Sequence, residues 1–360
     1  ETRILRVRAE LGNTMSLKQS LSRAAMKLML SLPESWLIGM SGKRPIRIGG
    51  RQLDPHFQFI AYQARKQPSL NTLPPAKARE VAARGTELLK GEMVDGVTFE
   101  DSEIKLAKRN LPIRIYRPFG QDPNMPLMVY FHSGGGVIGD LDTCHEFCGL
   151  LAHICKCPVV SVDYRLAPEH KWPAGLEDAI AAYEWGMQEA ETFGAPPGQA
   201  AIGGDSMGAN YCAVIAQEMM LDHKPQPALQ LLIYPMTDAD SDTPSVHLYG
   251  DTFPLNSEMM AWFKDLLLPS DIDPENPRLS PLCNSKLEGL APTILVTAGF
   301  DPLVDQGKAY ADRLHDAGVD VIYRCYDSLP HGFVSFMGAS SEVRRACNEI
   351  AIETRDVLRS

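Results

Sequence analysis

Three residues far apart in the chain have the types and the settings for acyl transfer. Ser206 lies in Gly204-Asp205-Ser206-Met207-Gly208, which fits G-x-S-x-G: a strand ends, the serine is forced into a tight turn, and a helix begins. The flanking glycines have a steric reason, since strand and helix crowd a serine held on so sharp a turn and only glycine lacks a Cβ. A serine hydroxyl is a poor nucleophile until a base takes its proton, and that base needs a carboxylate to orient its ring. Asp301 comes just after the apolar run Thr293 to Ala298, in Gly299-Phe300-Asp301-Pro302-Leu303. His331 comes just after the last apolar run, in Leu329-Pro330-His331-Gly332-Phe333. Each has a competitor. Asp305 falls inside the next expected helix, where an acid suits the positive helix start, and His315 sits mid-helix, where a solvated histidine is ordinary.

The same chemistry needs donors for an oxyanion. After the run Leu127 to Phe131 comes His132-Ser133-Gly134-Gly135-Gly136, whose backbone N–H groups no strand or helix uses. The N–H groups of Gly134 and Gly135, with that of Met207 at the positive end of the elbow helix, are the expected oxyanion hole. A phosphate cradle is the rival, set aside because G-x-x-x-x-G-K-[ST] is missing. His132 is read as bracing its own loop and Asp205 as ordering the elbow. Cys144, His145, Cys148, His153, Cys155 and Cys157 lie along one helix and into the next strand, facing different ways, so reduced thiols are expected there and no metal.

The period of the apolar residues changes near residue 93. Up to there the chain reads as helices: a basic amphipathic one with Leu17, Leu21, Ala24, Leu28 and Leu32 on one side, then one through Phe57 to Ala64, then Ala76 to Leu89. The first is expected to pack its leucine stripe on the domain, with a membrane-surface anchor as the alternative. Residues 1–14 lack an initiating Met, and Met15 is a plausible start, so the first stretch is expected to fall outside the native chain. Val97 to Glu100, Ile104 to Lys108 and Pro112 to Arg117 read as antiparallel strands. Beyond them, near-continuous apolar runs alternate with helical segments, the pattern of a mostly parallel sheet covered on both faces: an α/β fold. The runs are Leu127 to Phe131, Val159 to Val162, Ala201 to Gly203, Leu229 to Tyr234, Thr293 to Ala298 and Val319 to Tyr326. One connection, Tyr234 to Thr293, is too long for a plain loop and holds a helical pattern over Asn256 to Leu268. The expected organisation is a helical segment 1–92 forming part of a cap, and a catalytic domain 93–360 with a cap insertion at about 238–280.

Composition narrows the class. With 44% hydrophobic and 22% charged residues, the 360-residue chain can bury a large core. A net charge of −10 argues against a nucleic-acid partner, and no apolar run is long enough for stable membrane insertion. Eight scattered cysteines fit a reducing compartment.

These motifs resemble those of the hormone-sensitive-lipase-like branch of the α/β-hydrolases, the bacterial carboxylesterases with an H-G-G-G loop and a G-D-S-A-G elbow, in which the order Ser, Asp, His is also found. Gly139-Asp140-Leu141-Asp142 and the segment Asp163 to His170 match further, and the likeness runs from about Val94 to the C-terminus. It implies an α/β-hydrolase fold with a variable helical cap. It also implies a cytoplasmic serine esterase acting on short- to medium-chain acyl esters without a cofactor, often as a homodimer. Amidase or lactonase activity on the same residues, or a non-catalytic ligand-binding role, are the alternatives. Ser133 stands where the family has glycine, Gly136 where an aromatic is usual, and Met207 and Ala209 where Ala and Gly are usual. Gly136 is therefore expected to open the pocket and Met207 to fill part of it.

Overall fold

The computed structural model describes residues 17–360, so the expectation for residues 1–14 lies outside the described residues. The helices are α1 (Leu17–Leu30), α2 (Glu34–Met40), α3 (Pro55–Ala64), α4 (Pro75–Leu89), α5 (His145–Cys155), α6 (Ala174–Glu189), α7 (Met207–Leu221), α8 (Pro244–Tyr249), α9 (Ser257–Leu267), α10 (Val304–Asp316) and α11 (Ser341–Leu358). The strands are β1 (Arg47–Ile48), β2 (Arg51–Gln52), β3 (Val97–Lys105), β4 (Asn110–Pro118), β5 (Leu127–Phe131), β6 (Val159–Val162), β7 (Ala200–Asp205), β8 (Gln230–Ile233), β9 (Thr293–Phe300) and β10 (Val321–Pro330).

Strands β3 to β10 form one sheet in the order β10-β9-β8-β7-β5-β6-β4-β3. From β6 to β10 every neighbour is parallel, and β4 and β3 join antiparallel at one edge. Strands β5 to β9 are buried along their whole length, which is why they read as unbroken apolar runs. Two apolar clusters fill the two faces; neighbours such as Val129 and Tyr130 belong to opposite ones because side chains alternate along a strand. One expectation fails at the edge. Ile104 to Lys108 is no separate strand: Val97 to Lys105 pair without interruption with Asn110 to Pro118, and the turn falls at 106–109.

Helix α1 is the second departure. Leu21, Ala24 and Leu28 of its stripe face water, Leu32 just past the helix end packs on the core, and Met26, Met29 and Leu30 pack inward. The helix is apolar on two sides, so its period alone could not choose between them. What fixes the rotation is remote in sequence: Arg23 donates to the Gly91 carbonyl (2.8 Å) from a side chain only 16% exposed. Helix α2, helix α8 and the small β1–β2 hairpin had no sequence signal strong enough to be read.

Candidate active site

The four expected pieces lie at the carboxyl ends of neighbouring parallel strands: the glycine loop after β5, Ser206 after β7, Asp301 after β9 and His331 after β10. Ser206 has φ +56° and ψ −115°, a backbone state that L residues rarely adopt, and α7 starts at the next residue. The glycines of the motif are there for contact. A Cβ on Gly204 would lie 2.5 Å from the Gly208 carbonyl carbon, and one on Gly208 would overlap the Phe131 carbonyl. Because both obstacles are backbone, Gly208→Ala is expected to cost about 3 kcal/mol or more in urea unfolding. Gly85→Ala, in the middle of α4 with nothing within 4 Å, should instead gain up to about 1 kcal/mol.

His331 connects the other two. Its Nδ1 is 2.7 Å from Asp301 Oδ2 and its Nε2 is 2.9 Å from Ser206 Oγ. A carboxylate only accepts, so Nδ1 carries the proton, and Nε2 is left to accept from the serine hydroxyl. Asp301 is fully buried, and its other oxygen accepts from Leu303 N–H (2.8 Å), which fixes the carboxylate plane. Between Tyr326 and Pro330 the register shifts, β10 advancing four residues while β9 advances two, before Pro330 pairs with Phe300 directly before His331. Arg51 braces that shift, donating to the Asp327 carboxylate (2.8 Å) and the Gly299 carbonyl (3.0 Å). In the sequence Arg51 carries no such signal, being one base in the Gly- and Arg-rich run from Ser41 to Arg51.

The competitors lie elsewhere. Asp305 accepts from Ser245 N–H (2.8 Å), and His315 is exposed beside Asp316. Asp205 is fully buried and accepts from Tyr130 Oη (3.2 Å), Tyr234 Oη (3.1 Å) and Cys144 Sγ (3.2 Å), which holds the end of β7 under the elbow. Burial and the Asp205 charge together push the Cys144 and Tyr234 protons well above their ordinary range. His132 Nδ1 donates to the Ser133 carbonyl (2.7 Å), and its ring stacks on Tyr164 at 4.4 Å. Burial raises the carboxyl of Asp163, with His132 nearby acting in the opposite sense.

Gly134, Gly135 and Gly136 all have positive φ, and among the described residues no hydrogen bond takes the N–H of Gly134, Gly135 or Met207. These donors are free to meet a developing oxyanion. Residues 134–139 also satisfy the G-x-G-x-x-G spacing of a dinucleotide loop. The next helix, however, begins only at His145, so the run lacks the helix N-terminus that would hold a pyrophosphate. Arg79 of α4 ties the loop down from the N-terminal side, donating to the carbonyls of Val137 (2.8 Å) and Ala167 (2.7 Å).

A cavity of about 1550 Å³ opens above Ser206, Gly134, Gly135, Met207 and His331. Its other walls come from α1, α3 and α4 on one side and from residues 236–268 on the other. The expectation for Gly136 is overturned. The space an aromatic would take is filled from α9, because a Cβ there would lie 2.9 Å from Leu267 and 3.4 Å from Tyr211 Oη, and Gly136 is buried away from the cavity. Met207 does line it. So does Phe263, whose ring covers Gly135, whereas Trp262 beside it does not reach the cavity.

Comparison with known proteins bears on the family and the fold. A family model described as an alpha/beta hydrolase fold matches residues 128–335. The chain is 39% identical over 320 residues to the carboxylic ester hydrolase LipN of Mycobacterium tuberculosis, covering 86% of this chain and 85% of that one. It is 36% identical to the ethyl acetate hydrolase of Pseudomonas putida, over 65% of this chain and 75% of that one. Among solved structures, the ester hydrolase EH1AB1 from the metagenome of Lake Arreo, complexed with a bipyridine phosphonate derivative, superposes with a TM-score of 0.82. That match is at 35% identity and covers 86% of this chain and all of the other. The chain belongs to the alpha/beta-hydrolase fold family, in its hormone-sensitive-lipase-like branch.

Proposed function

We propose that this protein is a serine carboxylesterase working through Ser206, His331 and Asp301, with residues 17–92 and 238–280 acting together as a cap. The observation that carries the reading is the unbroken chain of hydrogen bonds from Ser206 Oγ through the His331 ring to Asp301, at 2.9 and 2.7 Å. His331 takes the Ser206 proton as the hydroxyl attacks the ester carbonyl, and Asp301 steadies the imidazolium that forms. The N–H groups of Gly134, Gly135 and Met207 hold the oxyanion. The imidazolium then protonates the departing alcohol, and water repeats the sequence on the acyl-enzyme. Every proton in this scheme moves between Ser206, His331, the substrate and the attacking water, so no cofactor is called for.

Phe263 over Gly135 and Met207 beside Ser206 narrow the space next to the carbonyl, which favours short to medium acyl chains. With p-nitrophenyl esters from acetate to palmitate, kcat/KM is expected to peak at butyrate or hexanoate. A maximum at palmitate would overturn the chain-length assignment, and faster turnover of anilides or lactones would overturn the ester one. A fluorophosphonate probe should label Ser206 and no other serine.

A further inference from the structure

Helix α1 has two apolar faces and packs with only one of them. Met26 and Met29 wall the cavity, and Leu30 is buried. On the other side Leu21 and Leu28 are 63% and 69% exposed, with exposed Ala24 between them. Helix α2 continues the pattern: Leu37 is buried, while Trp36 is 63% exposed and Met40, one turn further on, also faces water. Four of the ten large apolar side chains left in solvent among the described residues thus fall within twenty residues of sequence. Single exposed leucines need no explanation, but this many on two consecutive helices point to a contact surface.

Charge is a separate observation on the same segment. Residues 17–52 hold seven Lys and Arg against one acid, Glu34, in a chain whose net charge is −10, although Arg23 and Lys27 are paired with Glu92 and Arg51 with Asp327. Lys43, Arg44 and Arg47 are exposed just beyond the end of α2, and Arg47 reaches only Gln52. Apolar side chains including a tryptophan, rimmed by bases, match a helix pair lying in the plane of an anionic lipid surface. A second copy of this chain is disfavoured as the occupant, because a two-fold contact would set basic rim against basic rim.

We propose that the face formed by Leu21, Leu28, Trp36 and Met40, with Lys43, Arg44 and Arg47, docks on an anionic lipid surface. The helix that touches lipid with one side walls the cavity with the other, so docking brings the cavity within roughly one helix diameter, about 10 Å, of the lipid. This surface goes beyond the esterase reading and does not depend on it.

The test is flotation of the full chain with phosphatidylcholine vesicles, either pure or containing phosphatidylglycerol. Binding to the phosphatidylglycerol vesicles is expected at low salt and should fall about tenfold or more on neutral vesicles and at high salt. The triple variant Leu21→Ser/Leu28→Ser/Trp36→Ser should lose binding by a similar factor. Its unfolding midpoint and its hydrolysis of soluble p-nitrophenyl butyrate should stay as in the parent. Absent flotation of the parent protein, equal flotation of the triple variant, or binding indifferent to salt would each overturn the proposal. So would a dimer in gel filtration that the triple variant dissociates, or binding that emerges only once residues 1–16 are deleted. Flotation is read without substrate, so failure here leaves the esterase reading standing, and loss of esterase activity leaves this one standing.

Discussion

Ser206→Ala should lower kcat by about four to six orders of magnitude while the protein stays folded, because residues that act as one unit lose most of their effect when any one is removed. The interest lies in pairing it with Ser206→Gly. Both variants lack the nucleophile, and both should be inactive. They differ in backbone: at φ +56° an alanine meets the same hindrance as serine, and glycine does not. A residue held in so sparsely populated a region costs on the order of 1–3 kcal/mol, of which glycine returns part to the unfolded chain as entropy. Ser206→Gly should therefore be more stable than the parent by about 1 kcal/mol in urea unfolding, with Ser206→Ala near the parent value. A folded Ser206→Ala protein with parent-like turnover would end the assignment of Ser206. A Ser206→Gly protein less stable than Ser206→Ala would show that the elbow is not strained.

What could be read in the sequence divides along a physical line. Strands buried on both faces announce themselves locally, and β5 and β6 begin and end where their apolar runs do. The elbow and the strand-end placement of Asp301 and His331 were equally local, because each is a short motif attached to the end of a run. What stayed hidden depends on partners far away in the chain. The filling of the space beside Gly136 comes from Leu267, the brace on the β10 register shift comes from Arg51, and the exposed side of α1 is decided by Arg23 finding Gly91. Asp205 could be flagged from its place in the motif. Its three donors, from β5, from the residue after β8 and from the start of α5, could not. Residue type and spacing carry the chemistry here, while the shape of the pocket is written in contacts across tens to hundreds of residues.

Phe263 is the sharpest case, and it makes a measurable claim about the oxyanion loop. It belongs to α9 in the insertion, yet its ring lies so close over Gly135 that an added Cβ would come within 2.6 Å of Cδ1 and 2.7 Å of Cδ2. Gly135→Ala has to displace either the ring or the loop. If the loop moves, one donor to the oxyanion is misplaced, and losing one such donor lowers kcat by about 100- to 1000-fold. KM should change little, since the donor acts mainly once charge has developed on the oxygen. Phe263→Ala alone removes the lid over the loop but leaves Gly135 where it is, so a much smaller fall in kcat is expected. In the double variant the added methyl occupies the vacated ring position, and what remains is the intrinsic cost of alanine at φ +61°, about 1–2 kcal/mol. The double variant should then recover at least about tenfold in kcat over Gly135→Ala, a coupling of about 1.4 kcal/mol between two residues 128 positions apart. If the two losses simply multiply, the ring does not hold the loop, and the specificity assigned to the insertion would have to come from Met207 instead.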